Sequence, residues 1–350
     1  MPIPSLPPLP PDFHPFDKAT SSDIQVPTTP PPTSYLKDSL SRLFRNKIAL
    51  ASLLFLGALT LACLLLPALW PYSYDQQLGL SPTAIGKVDP SYNNLPPLGY
   101  GESELTRIEA GEFVFPHLLG TDSLGRDFFI RVVYGTGISL AVGGVASLIV
   151  LVVGTLMGGL AGYFGGRVDL LIMGVVDVIY ALPDMLMVIL LSALLGEGLE
   201  NFIQNTPLAP LGSHLFSLFL VFALLYWVSM ARMVRGQMLS LRRRSYVTAS
   251  KASGGRGLWI LRRHLLRGCV GVIVISTAMQ IPSAIFTESY LSYLGLGVSA
   301  PTPSLGSLAA DGLSSMGTYP YRLVVPAVVL SLMVLALHLL GDGVREAFER

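Results

Sequence analysis

Residues 232–267 read RMVRGQMLSLRRRSYVTASKASGGRGLWILRRHLLR and lie between two long apolar runs. The stretch carries ten cations and neither Asp nor Glu. Positively charged residues beside membrane spans stay on the cytoplasmic side, so this stretch predicts the orientation of the whole chain. We therefore predict a cytoplasmic loop over residues 232–267 and place every other segment relative to it.

Two helical patterns follow each other inside this loop. Residues 246–253 are small and predict a short helix, which Gly254 and Gly255 end because glycine readily adopts the left-handed conformation. From Leu258 onward, apolar and basic residues separate onto opposite faces, which is typical of a helix lying along a surface. Two interpretations remain open on composition alone: a docking element for a cytosolic partner, or a solvated basic loop that only maintains topology.

The composition indicates a membrane protein. Of 350 residues, 51% are hydrophobic and 13% charged, and the mean hydropathy is +0.59, which is too apolar for a chain whose surface faces water. The net charge of +1 gives no reason to expect nucleic-acid binding. Cys63 and Cys269 both lie in apolar context and predict neither a disulfide framework nor a metal site.

Hydropathy and charge together predict an all-α polytopic protein with six transmembrane helices and both termini in the cytoplasm. Residues 71–131 carry an acidic excess and are placed outside, ending in an interfacial amphipathic helix around residues 128–133. Residues 196–213 and 299–322 form the other outer loops. The predicted organisation is a disordered proline-rich tail at 1–34, the first span and outer loop at 35–119, and a five-helix core at 120–350. The predicted spans are 48–70, 138–163, 170–195, 214–231, 269–297 and 323–340.

Several residues inside the spans are unusual. A four-residue repeat of small residues, Gly154, Gly158 and Gly162, predicts close approach by another helix. Asp177 and Asp184 are costly in a membrane, and we favour a structural hydrogen-bonding role over a proton relay for both. In the fifth span, Pro282 predicts a kink, and Gln280 and Glu288 are the candidates for the translocation path. Glu288 is either an outer gate or a structural brace.

Common catalytic motifs are absent from the sequence. Gly86-Lys87 is followed by Val88 and lacks the glycine spacing of a phosphate-binding loop. No His-Glu-x-x-His helix and no Cys-x-x-Cys pair occurs. An intramembrane serine protease needs an activated serine facing a histidine, and no Gly-x-Ser-Gly lies in mid-span. We therefore expect no catalytic or metal-ligating residues and no enzymatic activity in this chain.

Longer motifs resemble a known family. Ala249, Gly254 and His264 have the spacing of the loop that, in binding-protein-dependent ABC importers, inserts a coupling helix into the cytosolic ATPase. Residues 119–127, 161–166 and 288–297 are similar to signatures of the C-type subunits of dipeptide and oligopeptide permeases. The resemblance extends over about residues 35–348.

The resemblance implies a type I ABC importer fold in the cell (inner) membrane. It implies a heterodimer with a homologous permease subunit, one or two ABC ATPase subunits that bind ATP and Mg²⁺, and an extracytoplasmic substrate-binding protein; the chain itself needs no cofactor. The implied activity is import of di- or oligopeptides by alternating access. The residues implied in coupling to the ATPase are Tyr246, Thr248, Ala249, Ser250, Lys251, Gly254, Arg262, Arg263 and His264.

The chain departs from the family pattern at several positions. Thr248 replaces the usual Glu, Ser250 the second Ala and Arg267 the Pro, while Gly137 and Gly174 replace arginines. Loss of the Glu removes one possible ion pair to the ATPase, so we expect either that the partner groove differs or that coupling relies more on shape and on the arginines. The alternatives are a related importer for nickel chelates, glutathione or another solute, and, from another class, an ion-driven secondary transporter.

Overall fold

The computed structural model describes residues 35–79, 89–198, 213–255, 257–298 and 300–349. The predicted tail at 1–34 and most of the predicted outer loop at 196–213 lie outside these ranges. The described residues form an all-α protein without strands, in which two isolated bridges, Gly99 to His117 and Thr121 to Asp127, are the β-type pairings. This agrees with the predicted fold class.

Thirteen α-helices are numbered here in chain order over the described residues. A 3₁₀ turn (Pro90–Tyr92) and two π-helical turns (Phe222–Tyr226 and Leu261–Leu265) interrupt the series. The α-helices are α1 (Tyr35–Arg45), α2 (Lys47–Leu69), α3 (Glu102–Glu109), α4 (Phe128–Phe164), α5 (Gly166–Tyr180), α6 (Asp184–Gly198), α7 (Ser213–Val221), α8 (Trp227–Arg242), α9 (Ser245–Ala252), α10 (Gly257–Ile260), α11 (Leu266–Tyr293), α12 (Leu305–Ser314) and α13 (Tyr321–Glu349).

Within the described ranges, five helical segments are long and apolar enough to cross a membrane, and a bent pair brings the number to as many as six. The bent pair is α5 with α6, which meet at 91°, so the residues predicted as one span over 170–195 do not form one continuous helix. Pro183 disfavours helical backbone at Leu182 because its ring clashes with the preceding residue. The helix restarts when Met187 donates its backbone N–H to the oxygen of Pro183 at 3.1 Å.

Helix α4 is the centre of the bundle and packs against α2, α5, α8, α11 and α12. It has 37 residues, or about 55 Å at about 1.5 Å per residue, far more than a bilayer core of about 30 Å. The separate interfacial helix predicted around residues 128–133 is therefore wrong, since these residues are the first turns of α4. They belong to the core because Phe128 and Val132 pack with Leu305 and Leu308 of α12.

The glycine face of α4 brings the fourth span close, as predicted. A Cβ placed on Gly158 would lie 2.4 Å from the backbone oxygen of Ala231, and one on Gly154 would lie 2.6 Å from the Cβ of Met230. One on Gly162 would lie 2.6 Å from the Cβ of Met238. The two backbones can meet because these positions lack side chains.

Three further boundaries differ from the sequence prediction. The fourth span continues as helix to Arg242, so Arg232 and Arg235 belong to the span rather than to a loop. The basic pattern from Leu258 is not a separate surface helix, because α10 and a π-helical turn lead directly into α11. The last helix continues past Gly341 and Gly343 to Glu349. These two glycines do not end the helix; instead, their lack of side chains lets Met279 and Ala49 pack closely against it.

The predicted outer loop at 299–322 contains α12, a helix that the sequence analysis missed. Ser304 caps it, because its hydroxyl accepts from Ser307 N–H at 3.2 Å while the Ser307 hydroxyl accepts from Ser304 N–H at 2.9 Å.

Both ends of the described chain lie at the same end of the bundle. The Asn46 side chain caps α2 by accepting from the N–H groups of Ile48 and Ala49, and its amide donates to Glu346 at 3.1 Å. Arg267 and Gly268, next to the basic segment, line one cleft with Phe348 and Glu349. We call this the inner end, and the opposite end, where α4 begins, the outer end.

Candidate functional site: a basic inner surface and a cavity at the helix break

Helix α9 presents its polar side outward and is held to the bundle by one apolar residue. Tyr246, Thr248, Ala249 and Lys251 are exposed, and Ser250 is half-buried. Val247 is fully buried and packs with Val150, Met238, Ile260 and Leu265. Because α9 is fixed to the bundle on one side and exposed on the other, a partner protein can bind its exposed side without a rearrangement of the helix.

The turn after α9 depends on glycine. Gly254 has φ of +81°, and no atom lies within 4 Å of a Cβ placed there, so its requirement is conformational rather than steric. A Cβ on Gly257 would lie 2.2 Å from the hydroxyl oxygen of Tyr163. The segment thus turns sharply and then docks against the inner end of α4.

The π-helical turn Leu261–Leu265 separates basic from apolar residues. Arg262 and Arg263 are exposed, whereas Leu265 is buried. No carboxylate of the described chain lies within ion-pair distance of either arginine. The ring of His264 lies between Tyr246 and Trp259, with centroid distances of 5.9 and 5.2 Å. Residues implied in coupling from α9 and from the turn thus form one surface, which we call the basic surface (residues 245–255 and 257–264).

Two of the ten cations in the quoted stretch have a different role. Arg235 makes a bidentate pair with Asp169 at 2.5 and 2.6 Å, and Arg232 donates to Asp177 at 2.7 Å. Arg232 also lies over the ring of Tyr180 at 4.0 Å. No partner for Asp177 was predicted, because Arg232 was expected in a loop rather than on the neighbouring helix. These pairs join α5 to α8.

A cavity with a volume of about 490 Å³ lies at the bend between α5 and α6, within the range of ligand pockets. Three backbone irregularities meet at it: the 91° break, the π-helical turn of the fourth span and Pro282 of the fifth. The lining residues are Ile179, Tyr180, Asp184, Met185, Val188, Leu225, Tyr226, Val228, Ser229, Gln280, Pro282, Ser283, Phe286, Thr287, Val334 and His338. Irregular backbone at membrane depth is tolerated where it lines a cavity.

A second cavity of about 370 Å³ shares Ser229, Gln280 and Ser283 with the first and extends to Arg345 and Glu349. Since Arg345 and Glu349 lie at the inner end, the two cavities together run from the helix break to that end. We call them the inner path. Gln280, predicted as a path residue, lines both cavities.

Glu288, the other predicted path residue, does not line the inner path. Its carboxylate is fully buried and accepts from the hydroxyls of Ser139, Ser289 and Ser292 at 2.8, 3.1 and 2.8 Å. The Ser139 bond joins α11 to α4. In this conformation the Glu288 carboxylate connects α11 to α4 through the bond from Ser139.

Asp184 was predicted to be structural, together with Asp177, yet it lines the cavity. Among the described residues, no cation lies within ion-pair distance of its carboxylate, whereas Asp169 and Asp177 are both paired with arginine. Sequence reasoning missed this difference, although Pro183 directly before Asp184 was a visible sign of a helix break.

The outer segment contains a buried cluster of charged side chains that was not predicted from the sequence. His117 has no exposed surface; its Nδ1 lies 2.8 Å from Asp127, and its Nε2 lies 3.3 Å from Glu104. Burial by itself lowers the pKa of His117, but the two carboxylates outweigh burial and raise it to about 9. The protonated ring therefore links α3 to the cap of α4, because Asp127 also accepts from Ile130 N–H at 3.0 Å.

Comparison with known proteins addresses the function. The profile of the family described as "binding-protein-dependent transport system inner membrane component" matches residues 154–350. The profile described as "N-terminal TM domain of oligopeptide transport permease C" matches residues 34–97.

Similar curated proteins cover most of the chain. A dipeptide transport system permease protein of Bacillus subtilis is 38% identical over 320 residues, which are 91% of this chain and 87% of the relative. An oligopeptide transport system permease protein of the same species is 34% identical over 90% of each chain. A glutathione transport system permease protein of Pectobacterium atrosepticum is 38% identical over 67% of this chain and 72% of the relative. With a matching family profile over more than half its length and relatives at 34–38% identity over most of both chains, the chain belongs to the inner membrane components of binding-protein-dependent transport systems.

Proposed function

We propose that this chain is the transmembrane permease subunit of an ATP-driven importer for di- and oligopeptides. The observation that carries the proposal is the inner path, which ends on the same side of the bundle as the exposed basic surface. The names of the dipeptide and oligopeptide permease relatives support the substrate class. Family membership favours this function over an ion-driven transporter, because the family works with a separate binding protein.

The chain does not itself hydrolyse ATP; its family supplies the membrane component, and ATPase subunits turn over the nucleotide. We propose that ATP and Mg²⁺ are bound by those partners and that this chain holds no cofactor. The full assembly would contain a homologous permease subunit, one or two ATPase subunits and an extracytoplasmic binding protein.

The mechanism we propose is alternating access between two global states, in which the ATPase moves the basic surface and the helix bundle follows. Tyr163 and Val247 hold this surface to the inner ends of α4 and α8, so a displacement there reaches the central helix directly. Exposed Arg262 and Arg263 are free to pair with carboxylates of the ATPase, which offsets the absence of a glutamate at Thr248.

The test is charge reversal at the basic surface in the reconstituted complex. Arg262→Glu with Arg263→Glu should lower ATPase turnover stimulated by the loaded binding protein by about tenfold or more, because opposed charges at an interface become like charges. Lys37→Glu with Arg45→Glu is the matched control, since both residues are exposed cations on α1, away from the surface. Unchanged stimulation in the Arg262 and Arg263 variant would exclude the role given to these arginines.

Glutathione is the second candidate substrate, because a glutathione permease is among the similar proteins. Uptake of a labelled dipeptide and of labelled glutathione by the same reconstituted complex separates the two. Uptake of glutathione without the dipeptide would replace the proposed substrate and leave the permease role intact.

A further inference from the structure

The cavity at the helix break is built for a specific contact rather than for a wide aqueous pore. A break, a π-helical turn and a proline each weaken a transmembrane helix, and all three occur at this one cavity. π-Helical turns inside helices are frequent at functional sites, and discontinuous membrane helices are typical of substrate sites. Their coincidence indicates that the cavity receives a ligand.

The side chains of the described residues that line the cavity include an acidic residue but no lysine or arginine. Asp184 is the only carboxylate among them, and the polar groups around the cavity include Gln280, Ser229, Ser283 and the ring of His338. Asp184 lies at the break of the candidate bent span formed by α5 and α6, and a carboxylate within a membrane-spanning segment without a cationic partner marks a functional site by default. Since Asp177, seven residues earlier, already has its arginine, Asp184 is available for a charge that enters from outside the chain.

From this geometry we infer that Asp184 binds the α-ammonium group of a peptide as the peptide passes through the cavity. The inference rests on the proposed function, because it assumes a peptide substrate. A terminal ammonium is a compact donor of three hydrogen bonds, which suits one carboxylate surrounded by hydroxyl and amide groups. The volume of about 490 Å³ accommodates a short peptide.

A structural role for Asp184 must be distinguished from this one. It lies in the first turn of α6, where a carboxylate interacts favourably with the helix dipole. Asn is close to Asp in size and keeps a side-chain oxygen that can accept a hydrogen bond at the helix start. Asp184→Asn therefore removes the charge while leaving the helix start in place, and Asp184→Glu restores the charge.

The experiment measures the charge of the cavity directly, in the complete purified complex. Cys63 and Cys269 are replaced by Ala, and Ser229, which lines both cavities of the inner path, is replaced by Cys. The rate of modification by a trimethylammonium methanethiosulfonate is compared with the rate for a sulfonate methanethiosulfonate. We expect Asp184→Asn to lower the cation-to-anion rate ratio by about tenfold or more, and Asp184→Glu to restore it.

Peptide binding is then measured as protection of the cysteine in Ser229→Cys from modification by the methanethiosulfonate reagents. Dialanine should slow its modification in the parent, N-acetyl-dialanine should not, and Asp184→Asn should abolish the difference. Ser283→Cys repeats the measurement if the Ser229 variant fails to assemble, since Ser283 lines the same cavities.

The outcomes separate the inference from the proposed function. A rate ratio independent of Asp184, as expected if a cation of the second permease subunit already neutralises it, overturns the inference even when the complex transports peptides. A ratio that depends on Asp184, without protection by dialanine and without dialanine uptake, refutes the peptide substrate and with it the ligand assigned to Asp184.

Discussion

His117 is the residue on which the outer segment depends. One imidazole contacts two carboxylates from different parts of the segment, Glu104 in α3 and Asp127 at the cap of α4. A neutral ring can donate from only one nitrogen, so both contacts are favourable only when the ring is protonated. The protonation state therefore controls how firmly α3 is held to the start of α4.

We predict that the stability of the outer segment falls at high pH. The pKa of His117 is raised to about 9 from about 6.5 in an unfolded chain. Its stabilising contribution is therefore complete below about pH 6.5 and is lost as the pH rises through about 9. Amide hydrogen exchange over residues 89–127, corrected for the intrinsic rate, should accelerate in this window.

His117→Gln should remove this pH-dependent change, whereas His338→Gln, in the last span, should retain it. If His117→Gln shows the same acceleration as the parent, the ring does not hold the segment.

At the scale of elements, the contact between α4 and α8, the inner part of the fourth span, fixes how the two helices pack in the bundle. Gly154, Gly158 and Gly162 place the backbone of α4 directly against Trp227, Ala231 and Arg235. The pairs Arg235 with Asp169 and Arg232 with Asp177 then attach α5 to the other side of α8. One helix thus receives a small-residue contact on one face and ion pairs on another, which fixes its rotation about its own axis.

Gly158→Ala tests the helix contact. The new Cβ would lie 2.4 Å from a backbone oxygen, and because backbone cannot rotate away as a side chain can, we expect a loss of about 1–3 kcal/mol of stability. Gly144→Ala on the same helix is the matched control, since nothing lies within 4 Å of its Cβ. It should be neutral or stabilising by up to about 1 kcal/mol.

Thermal unfolding of the purified protein in detergent measures both variants. Equal unfolding temperatures for the two variants would contradict the close approach of α4 and α8.

At the scale of the whole molecule, the two ends of the bundle differ in chemistry. The inner end carries the basic surface, both ends of the described chain and the opening of the inner path. The outer end carries the segment 89–127, attached to the last span where Arg322 donates to Asn94 at 2.7 Å and Tyr321 donates to Leu95 oxygen at 3.3 Å. Such polarity is what a protein with one fixed orientation in a membrane requires.

We predict that the inner end faces the cytoplasm. In a chain with Cys63 and Cys269 replaced by Ala, a membrane-impermeant maleimide should label Phe113→Cys from outside intact cells, because Phe113 is 86% exposed. The same reagent should label Thr248→Cys only after the membrane is opened. Labelling of Thr248→Cys alone in intact cells would reverse the assigned orientation, and labelling of both positions would contradict the cytoplasmic placement of the basic surface.

Hydropathy and the distribution of arginines were enough to predict the all-α membrane fold, the approximate spans and the common side of both chain ends. Both properties are local, since each spanning segment must be apolar over the thickness of the membrane and positively charged residues stay on the cytoplasmic side. The contact made by Gly154, Gly158 and Gly162 was predictable for the same reason, because a face of small residues is visible along a single helix.

Tertiary contacts decided the rest. The sequence around Pro183 does not say whether this proline bends a span or ends it. Nor does it say whether Arg232 pairs with Asp177, because these two residues are more than fifty positions apart. The different states of Asp177 and Asp184, two carboxylates of one predicted span, have the same origin. Asp177 pairs with Arg232 on the neighbouring helix, whereas Asp184 lines a cavity and has no arginine within ion-pair distance in the described chain. Which of these charges lie close together depends on how α5, α6 and α8 pack.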